Sequence, residues 1–460
     1  MRGRVRAVAR GAAAAFLLCS PPLLAQARSG GSVPVRAPGY ADQGAVAAAI
    51  RREARGDIAT FYRERGYWPI WMEHGGLGRA ADALLALLPT VAADGLDPGR
   101  YATRELTRRI ADAHSGDPRA VATAEVALSR TLASLIADMR EPHAEMAYAD
   151  PGLAPRRQRA DALLRRAAAA PLLTAYVAQL QWMNPLYVGL RATGARDAPR
   201  IVLDPDDADL FGVARKTRSL QGGTQNRRLN LERARLLPDA ITPHIVVDTA
   251  GSRLWYIAAG KIVGEMRVVT GTPDTPTPMM AGMLRYATFN PYWNVPVDLV
   301  RRRLAPALVR GKSLRAMGYE ALSDWSADAR PVDAATIDWR AVADGRSEVR
   351  VRELPGGGNS MGRVKFTFPN DEGIYLHDTP DKTLFARADR HFSNGCVRLE
   401  DAARLTRWLL PERRARAGNA PEQQVALPTP VPVYLTYLTT RAENGRLVSV
   451  PDVYRRDGAP

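Results

Sequence analysis

Two side chains in the second half of the chain, Cys396 and His377, have the types and spacing of a nucleophile and its base. Cys396 lies in the run SNGCVR at 393–398, nineteen positions after the histidine. A thiol attacks only as a thiolate, and an imidazole within hydrogen-bond reach both takes the proton and favours the charged form. The pattern predicts a strand that ends at His377 and a loop before Cys396, so the two are expected to meet at one end of a sheet. We therefore predict a cysteine nucleophile with His377 as general base and acid.

The residues around Cys396 suggest how its reaction is assisted. The backbone amides of Gly395 and Cys396 are expected to stabilise an oxyanion, and a helix that starts near residue 400 or 401 adds a weak positive field. Arg398 has two open interpretations, since it could bind a carboxylate of the substrate or a structural one such as Asp401.

The orientation of the base leaves further choices. His377 is favoured over His391 as the base, and His391, in a charged loop, is expected to be exposed or to face the substrate. The imidazole of His377 needs a partner, and a backbone carbonyl that follows it is favoured over the side chain of Asp378, because adjacent residues on a strand point to opposite faces.

The cysteine count and the N-terminus indicate export. Arginines precede an apolar run at 11–19, and Ala25-Gln26-Ala27 has the form of a cleavage site, so residues 1–27 are predicted to be a signal peptide. Cys19 suggests a lipoprotein alternative, although Leu18 is large for a lipidation site. Removal of 1–27 leaves Cys396 as the single cysteine, which cannot form an internal disulfide. The protein is expected to be exported and periplasmic, with membrane contact only through an uncleaved signal peptide.

Charge and histidine spacing limit the partners. Four arginines and no acids lie in residues 1–27, so the formal charge of +16 falls by four to +12 on cleavage. A basic exported protein suits an acidic polymer such as the cell wall, and export disfavours nucleic acid. The six histidines show no metal-binding spacing, so neither a metal nor another cofactor is predicted.

The chain divides into a helical half and a β-rich half. Residues 28–41 are expected to be a flexible leader, and 42–190 an all-α domain of Ala- and Leu-rich amphipathic segments. Residues 191–238 form a linker that ends in a basic bridging helix at 225–237. Short β-branched runs separated by turns then predict a mainly-β domain at 239–457. A mixed segment, 297–353, is predicted to be an insertion that folds over the sheet.

The motifs of the second half resemble those of one enzyme family. Its catalytic signature matches His377 followed by SNGCVR, and NPYWNVP at 290–296, PG at 355–356, NSMG at 359–362 and YLHDTP at 375–380 also match. These motifs resemble the YkuD-type L,D-transpeptidases, in particular the large Gram-negative branch in which a capping subdomain interrupts the catalytic domain. The match is close from about residue 240 to 455. Over 42–190 the resemblance to that branch's helical scaffold domain is loose.

The resemblance implies an α+β multidomain fold, with an all-α scaffold domain before a mainly-β, sandwich-like catalytic domain. It also implies a reaction: Cys396 attacks the amide between diaminopimelate and D-Ala of a donor tetrapeptide, and an acceptor amine resolves the thioester into a 3→3 cross-link. The partners are then peptidoglycan stem peptides, and acylation by carbapenems is expected. Substrate-binding candidates are Arg398, Ser393, Asn394, Tyr375, Asn359, Met361 and Trp293.

Two departures from the family pattern and several alternatives stay open. Asn394 stands where a histidine is usual, and 191–224 is too short for the peptidoglycan-binding module of many relatives. The same thioester could be resolved by water, as in an L,D-carboxypeptidase, or by a lysine of a lipoprotein. An inactive wall-binding scaffold is the alternative of another class. The order His377 before Cys396 disfavours papain-like hydrolases, and the nineteen-residue gap disfavours sortases.

Overall fold

The computed structural model describes residues 41–193, 200–201, 221–410, 418 and 420–458. The predicted signal peptide and nearly all of the predicted leader therefore lie outside the described residues, as does most of the loop before the bridging helix.

The first half is helical, as predicted, with one short hairpin formed by β1 (Met72–Glu73) and β2 (Gly76–Leu77). Its helices are α1 (Gln43–Glu53), α2 (Gly56–Glu64), α3 (Arg79–Leu87), α4 (Thr103–Ala113), α5 (Pro118–Met139), α6 (Ala160–Ala168), α7 (Leu173–Ala178) and α8 (Pro185–Ala192). Helix α5 begins at an N-cap, Asp117, whose carboxylate accepts a hydrogen bond from the Ala120 amide, with Pro118 in the first turn. By length and composition α5 could cross a membrane, yet most of it is buried among the other helices. It is the core helix of this half.

A buried carboxylate on α5 holds the aromatic segment that follows α2. Glu125 accepts hydrogen bonds from the Tyr62 hydroxyl at 2.8 Å and from the Ile70 amide at 2.6 Å. The Trp71 indole donates to Ser129, one turn further along α5. Burial raises the pKa of Glu125 to about 7. These contacts give Tyr62 and Trp71 a structural role, whereas Trp68 of the same segment is half-exposed.

The second half is built on one sheet whose strands pair in a closed ring. Strands β3 and β4 are Ala147–Tyr148 and Arg200–Ile201, and α9 is Gln221–Arg235. The ring is formed by β5 (His244–Asp248), β6 (Arg253–Ala258), β7 (Lys261–Gly271), β8 (Met280–Phe289), β13 (Val364–Thr367), β14 (Leu376–His377), β16 (Val397–Leu399) and β17 (Gln423–Thr436). The order around the ring is β13-β14-β16-β7-β6-β5-β17-β8, and β8 pairs again with β13. Each of these strands thus has two neighbours, and the apolar core lies inside the ring.

Several predicted boundaries differ from those in the structure. The strand predicted at 374–377 is limited to β14, and the bridging helix predicted at 225–237 is α9. The run 431–440 was predicted as one strand, but β17 ends at Thr436 because the Leu438 amide turns to the carboxylate of Asp248. The chain resumes as β18 (Thr440–Glu443), which pairs with β19 (Arg446–Ser449).

The predicted insertion is a folded unit with its own sheet and core. It contains β9 (Trp293–Val295), a helical stretch of α10 (Val297–Leu299), a π-helical turn and α11 (Ala305–Val309), then β10 (Tyr319–Leu322), β11 (Pro331–Val332), α12 (Trp339–Ala343) and β12 (Arg350–Glu353). Strands pair in the order β11-β10-β12-β9. Because β9 pairs with β12, the unit begins at Trp293 and not at 297 as predicted. It leaves the ring after β8 and returns before β13.

Contacts between the two halves involve hydrogen bonds to buried groups. Asn184 donates to the Pro238 carbonyl and contacts the ring of His244 at 2.9 Å. The Arg140 guanidinium donates to the carbonyl of Leu237. Strand β3, from the helical half, pairs with β8 of the ring. The helical half is therefore attached directly to the sheet.

Candidate active site

The register of β14 and β16 brings the predicted nucleophile and base together. The two strands are parallel, with Leu376 beside Val397 and His377 beside Arg398. Leu376 and Val397 are fully buried in the core. Side chains alternate along a strand, so His377 and Arg398 point to the outer face, as does Cys396, one residue before Val397. In the same register Cys396 lies beside Tyr375, so the thiol and the imidazole are diagonal neighbours on adjacent strands of one face.

His377 is a neutral base held by its own backbone. Its Nδ1 lies 2.6 Å from the carbonyl oxygen of Asp378, which confirms the predicted carbonyl partner and leaves Nε2 to accept a proton. The Asp378 carboxylate instead accepts hydrogen bonds from the Arg363 amide and the Lys382 ammonium. Burial, with a smaller contribution from Arg398, lowers the pKa of His377 to about 4. The imidazole is therefore unprotonated at neutral pH.

Cys396 is half-buried, and its resting form is the thiol. Burial raises the pKa of Cys396, and the opposing effects of the Tyr375 backbone amide and of Arg398 are smaller. The Sγ atom lies 3.6 Å from the carbonyl oxygen of Gly373, to which the thiol donates. Because both groups rest in their neutral forms, attack by the sulfur requires transfer of its proton to a base.

The loop before Cys396 is closed by the hydroxyl of Ser393. This Oγ donates to the Cys396 carbonyl at 2.5 Å and accepts from the Gly395 amide at 3.2 Å. The prediction that Gly395 supplies an oxyanion donor is therefore wrong for this conformation, because its N–H is already used. Among the described residues, the amide of Cys396 forms no hydrogen bond. Of the two predicted amides, that of Cys396 is the one free to bind an oxyanion.

Gly395 has a conformational requirement instead. Its φ is +107°, a region that side chains rarely adopt, and an added Cβ would lie 3.1 Å from the Ile374 side chain. Glycine thus allows the loop to turn tightly against the strand that carries the base.

A second loop, residues 271–277 (GTPDTPT), supports this turn and was not predicted from the sequence. The Thr277 hydroxyl donates to the Gly395 carbonyl at 2.8 Å and accepts from the Gly271 amide at 2.9 Å. The Thr272 amide and the Thr275 hydroxyl both donate to the Ser393 carbonyl. A signal was present, since a run of three threonines and two prolines is unusual between two strands.

We expect Thr277→Val to loosen the loop that carries the nucleophile. The substitution preserves the shape of a fully buried side chain but leaves the Gly271 amide and the Gly395 carbonyl without partners, which costs about 1–3 kcal/mol of unfolding free energy. Thermal unfolding and kcat/KM of the purified variant should both decrease. Thr275→Val is the matched control, because the Ser393 carbonyl keeps the Thr272 amide. Unchanged stability and activity in Thr277→Val would contradict this role.

The prediction for His391 is wrong. The residue is 8% exposed, on β15 (His391–Ser393), which pairs with β7. Its Nδ1 contacts the Asp389 carboxylate at 2.6 Å and its Nε2 contacts the Thr249 carbonyl at 3.0 Å. Both nitrogens are occupied, so His391 is neither a rival base nor a group that faces the substrate.

Arg398 lies on the same face as the thiol. Its guanidinium forms no ion pair with a carboxylate of the described residues. Asp401, its predicted structural partner, caps α13 (Ala402–Leu409) by accepting from the Arg404 amide. The pKa of Asp381 is lowered, chiefly by Thr383 and also by Arg398. The Arg398 Nε is buried and has no partner among the described residues. Of the two predicted roles, binding of a substrate carboxylate is the one that the geometry leaves open.

The other predicted substrate-binding residues fall into two groups. Tyr375 is half-buried beside Cys396, and Asn394 is exposed at the loop tip, so both can contact a substrate. Asn359 and Met361 are 2% and 4% exposed, and the Asn359 side chain bonds the Glu353 and Leu354 carbonyls. Ser393 is buried in the loop, and Trp293 packs in the insertion. A direct substrate contact was predicted for these four residues. In the structure they instead pack or form hydrogen bonds within the protein.

Comparison with known families gives two domain matches. Residues 242–433 match the model of the L,D-transpeptidase catalytic domain, YkuD, and these residues contain Cys396 and His377. The chain carries an L,D-transpeptidase catalytic domain. Residues 56–193 match the model of the scaffold domain, which covers most of the helical half.

Individual proteins similar to this chain include one from Haemophilus influenzae named "Putative L,D-transpeptidase". It is 34% identical over 242 residues, which cover 51% of this chain and 48% of that protein. The chain thus matches about half the length of this relative.

Two solved structures are also similar in part. An L,D-transpeptidase from Mycobacterium smegmatis is 13% identical, over 42% of this chain and 58% of that one, with a TM-score of 0.22. The catalytic domain of the Enterococcus faecium L,D-transpeptidase acylated by ertapenem is 14% identical, over 42% and 96%, also with a TM-score of 0.22. Scores this low carry no argument about the site.

Proposed function

We propose that the chain is a peptidoglycan L,D-transpeptidase that forms 3→3 cross-links between diaminopimelate residues through a thioester on Cys396. The observation that carries the proposal is that the neutral His377 imidazole and the neutral Cys396 thiol lie diagonally on adjacent strands of one sheet face. Nδ1 of His377 is fixed by a carbonyl, and Nε2 has no partner among the described residues. The family of the catalytic domain supplies the substrate class. The predicted signal peptide supports action in the periplasm, where this polymer lies.

In the first half-reaction, Nε2 of His377 takes the thiol proton as Sγ attacks the carbonyl carbon between diaminopimelate and D-Ala. The amide of Cys396 donates to the oxyanion that forms. As the tetrahedral intermediate collapses, the carbon–nitrogen bond breaks and His377 returns the proton to the nitrogen of D-Ala. D-Ala leaves, and a thioester remains on Cys396.

In the second half-reaction, the side-chain amine of another stem peptide attacks the thioester carbon. His377, again neutral, removes a proton from this amine, and the sulfur–carbon bond breaks. The thiolate then takes the proton from the imidazolium, which restores both groups. One base thus serves both directions of proton transfer.

The experiment is incubation of the purified chain with disaccharide-tetrapeptides, followed by mass spectrometry of the products. Cross-linked dimers that have lost one D-Ala are expected. Disaccharide-tripeptides without dimers would indicate an L,D-carboxypeptidase, and adducts formed only with an added lysine-bearing lipoprotein peptide would indicate protein anchoring. If D-Ala is not released under any of these conditions, the proposed function is wrong.

A further inference from the structure

The outer face of the ring continues from the nucleophile and base across three more strands. The registers β14–β13, β13–β8 and β8–β17 align residues in rows across the sheet. One row continues from Cys396, the other from Arg398. The first row is Cys396, Tyr375, Thr367, Tyr286 and Ala426, and the second is Arg398, His377, Lys365, Thr288 and Gln424.

This outer sheet face, formed by the two rows beyond Cys396 and Arg398, is polar and partly open. Tyr286 is 37% exposed, and Gln424 and Ala426 are also exposed. The alternate residues of the same strands, such as Phe366 and Ala287, are buried in the core inside the ring. The face therefore does not pack against the core of its own domain.

The order of the strands determines which reactant approaches from this face. His377 lies on β14, between Cys396 on β16 and the strands β13, β8 and β17. Its Nδ1 is bonded to a backbone carbonyl, so a proton must be delivered to Nε2. The acceptor amine has to meet both the thioester carbon and Nε2 at once. A chain that lies over the first row, from Tyr286 to Tyr375, leads its amine to the thiol beside β14, the strand that carries the base. His377 and Thr288 of the second row are buried.

The opposite side of Cys396 is occupied by the protein itself. Thr272, Thr275 and Thr277 hold the loop at 393–395 from that side. The groups nearest the thiol there are Asn394, exposed at the loop tip, and the half-buried Arg398, which has no ion pair among the described residues. The scissile carbonyl of the donor must reach Sγ and the Cys396 amide. The donor is therefore bound by residues other than those of the outer sheet face.

Length and charge fit a stem peptide. From β16 to β17 there are four strand spacings, about 19 Å, whereas an extended tetrapeptide spans about 13 Å. Lys365 and Glu422 form an ion pair at 2.5 Å, in which the Glu422 side chain is 41% exposed. Glu422 also accepts from the Tyr292 amide, at the base of the insertion. The partly exposed Glu422 carboxylate thus offers an opposite charge to an ammonium of the acceptor at this edge of the face.

We propose that the outer sheet face binds the acceptor stem peptide, with Tyr286 and Gln424 as contacts remote from the chemistry. The inference rests on the proposed transpeptidation and names the surface that selects its second substrate. Because the face lies beyond the base, loss of these contacts affects the binding of the acceptor and not the attack on the donor.

The test uses Tyr286→Ala combined with Gln424→Ala in the full chain. A disaccharide-tetrapeptide is the donor, and a disaccharide-tripeptide, which has no D-Ala to lose, serves only as acceptor. The acceptor KM is measured from cross-linked product and the donor KM from D-Ala release. We expect the acceptor KM to rise at least about fivefold and the donor KM to change less than about twofold.

The matched control is Gln423→Ala, since Gln423 precedes Gln424 on β17 and alternation turns it to the opposite face. This control should leave both KM values unchanged. Equal rises of both KM values in the double variant, or no rise in either, would overturn the inference while the proposed function stands. A wild-type chain that releases no D-Ala would instead refute the proposed function, before any variant is compared.

Discussion

Replacing Cys396 by alanine is expected to abolish release of D-Ala from a disaccharide-tetrapeptide, with a loss of at least about a thousandfold. No other cysteine occurs in the described residues, and the base cannot form a thioester without a sulfur. The side chain is small and half-buried, so the unfolding free energy should change by about 1 kcal/mol or less. D-Ala release and thermal unfolding of the same preparation measure both effects.

Cys396→Ser is the matched control for this prediction. It preserves the size of the side chain and a proton for His377 to take, but an alcohol is much harder to deprotonate than a thiol. The neutral imidazole, whose pKa burial lowers to about 4, is a weak base for that step. The serine variant should therefore also be inactive or nearly so. Substantial D-Ala release by the alanine variant would show that another group is the nucleophile.

His377→Asn is expected to reduce kcat/KM by about a hundredfold to ten-thousandfold, the range typical of a lost general base. Asparagine is suitable because its side-chain amide can still donate to the Asp378 carbonyl, as Nδ1 does now. The strand pairing of β14 should then be preserved, and the loss should reflect chemistry. The pH dependence of kcat/KM provides a second and more specific readout.

The sign of that dependence follows from the two pKa shifts. In the wild type, His377 is unprotonated above about pH 4. Protonation of the base should therefore cause no decrease of kcat/KM near pH 6.5, the pKa of an ordinary histidine. In the asparagine variant only molecules already in the thiolate form can attack, and burial raises the pKa of Cys396. Its kcat/KM should rise about tenfold per pH unit up to at least pH 9. A variant with the flat wild-type profile would exclude His377 as the base.

The sequence located the candidate nucleophile and base more readily than the residues that support them. The predicted removal of residues 1–27, which leaves one cysteine, and a histidine at a predicted strand end led to Cys396 and His377, and the β-branched runs located most ring strands. The partner of His377 was also predictable, because strand alternation turns the Asp378 side chain away from the imidazole. In the structure that side chain instead bonds Arg363 and Lys382.

What the sequence could not predict depends on contacts between distant residues. Thr277 bonds a carbonyl 118 residues further along the chain, and no local pattern specifies that pairing. The Ser393 hydroxyl accepts a hydrogen bond from the Gly395 amide because the loop turns tightly. This bond removes the Gly395 amide from the expected oxyanion donors. His391 looked exposed because its neighbours are charged, yet its ring is buried between the Asp389 carboxylate and the Thr249 carbonyl. In each case a tertiary partner decides the role.

The central claim, that Cys396 forms a thioester with the donor, is tested most directly by the mass of the protein. The full chain is mixed briefly with disaccharide-tetrapeptide without acceptor, quenched in acid, and analysed intact and after proteolysis. We expect a mass increase equal to the donor minus D-Ala, located on the peptide that contains Cys396 and absent in Cys396→Ala. Release of D-Ala with the increase on another residue, or with the same increase in the alanine variant, would contradict it.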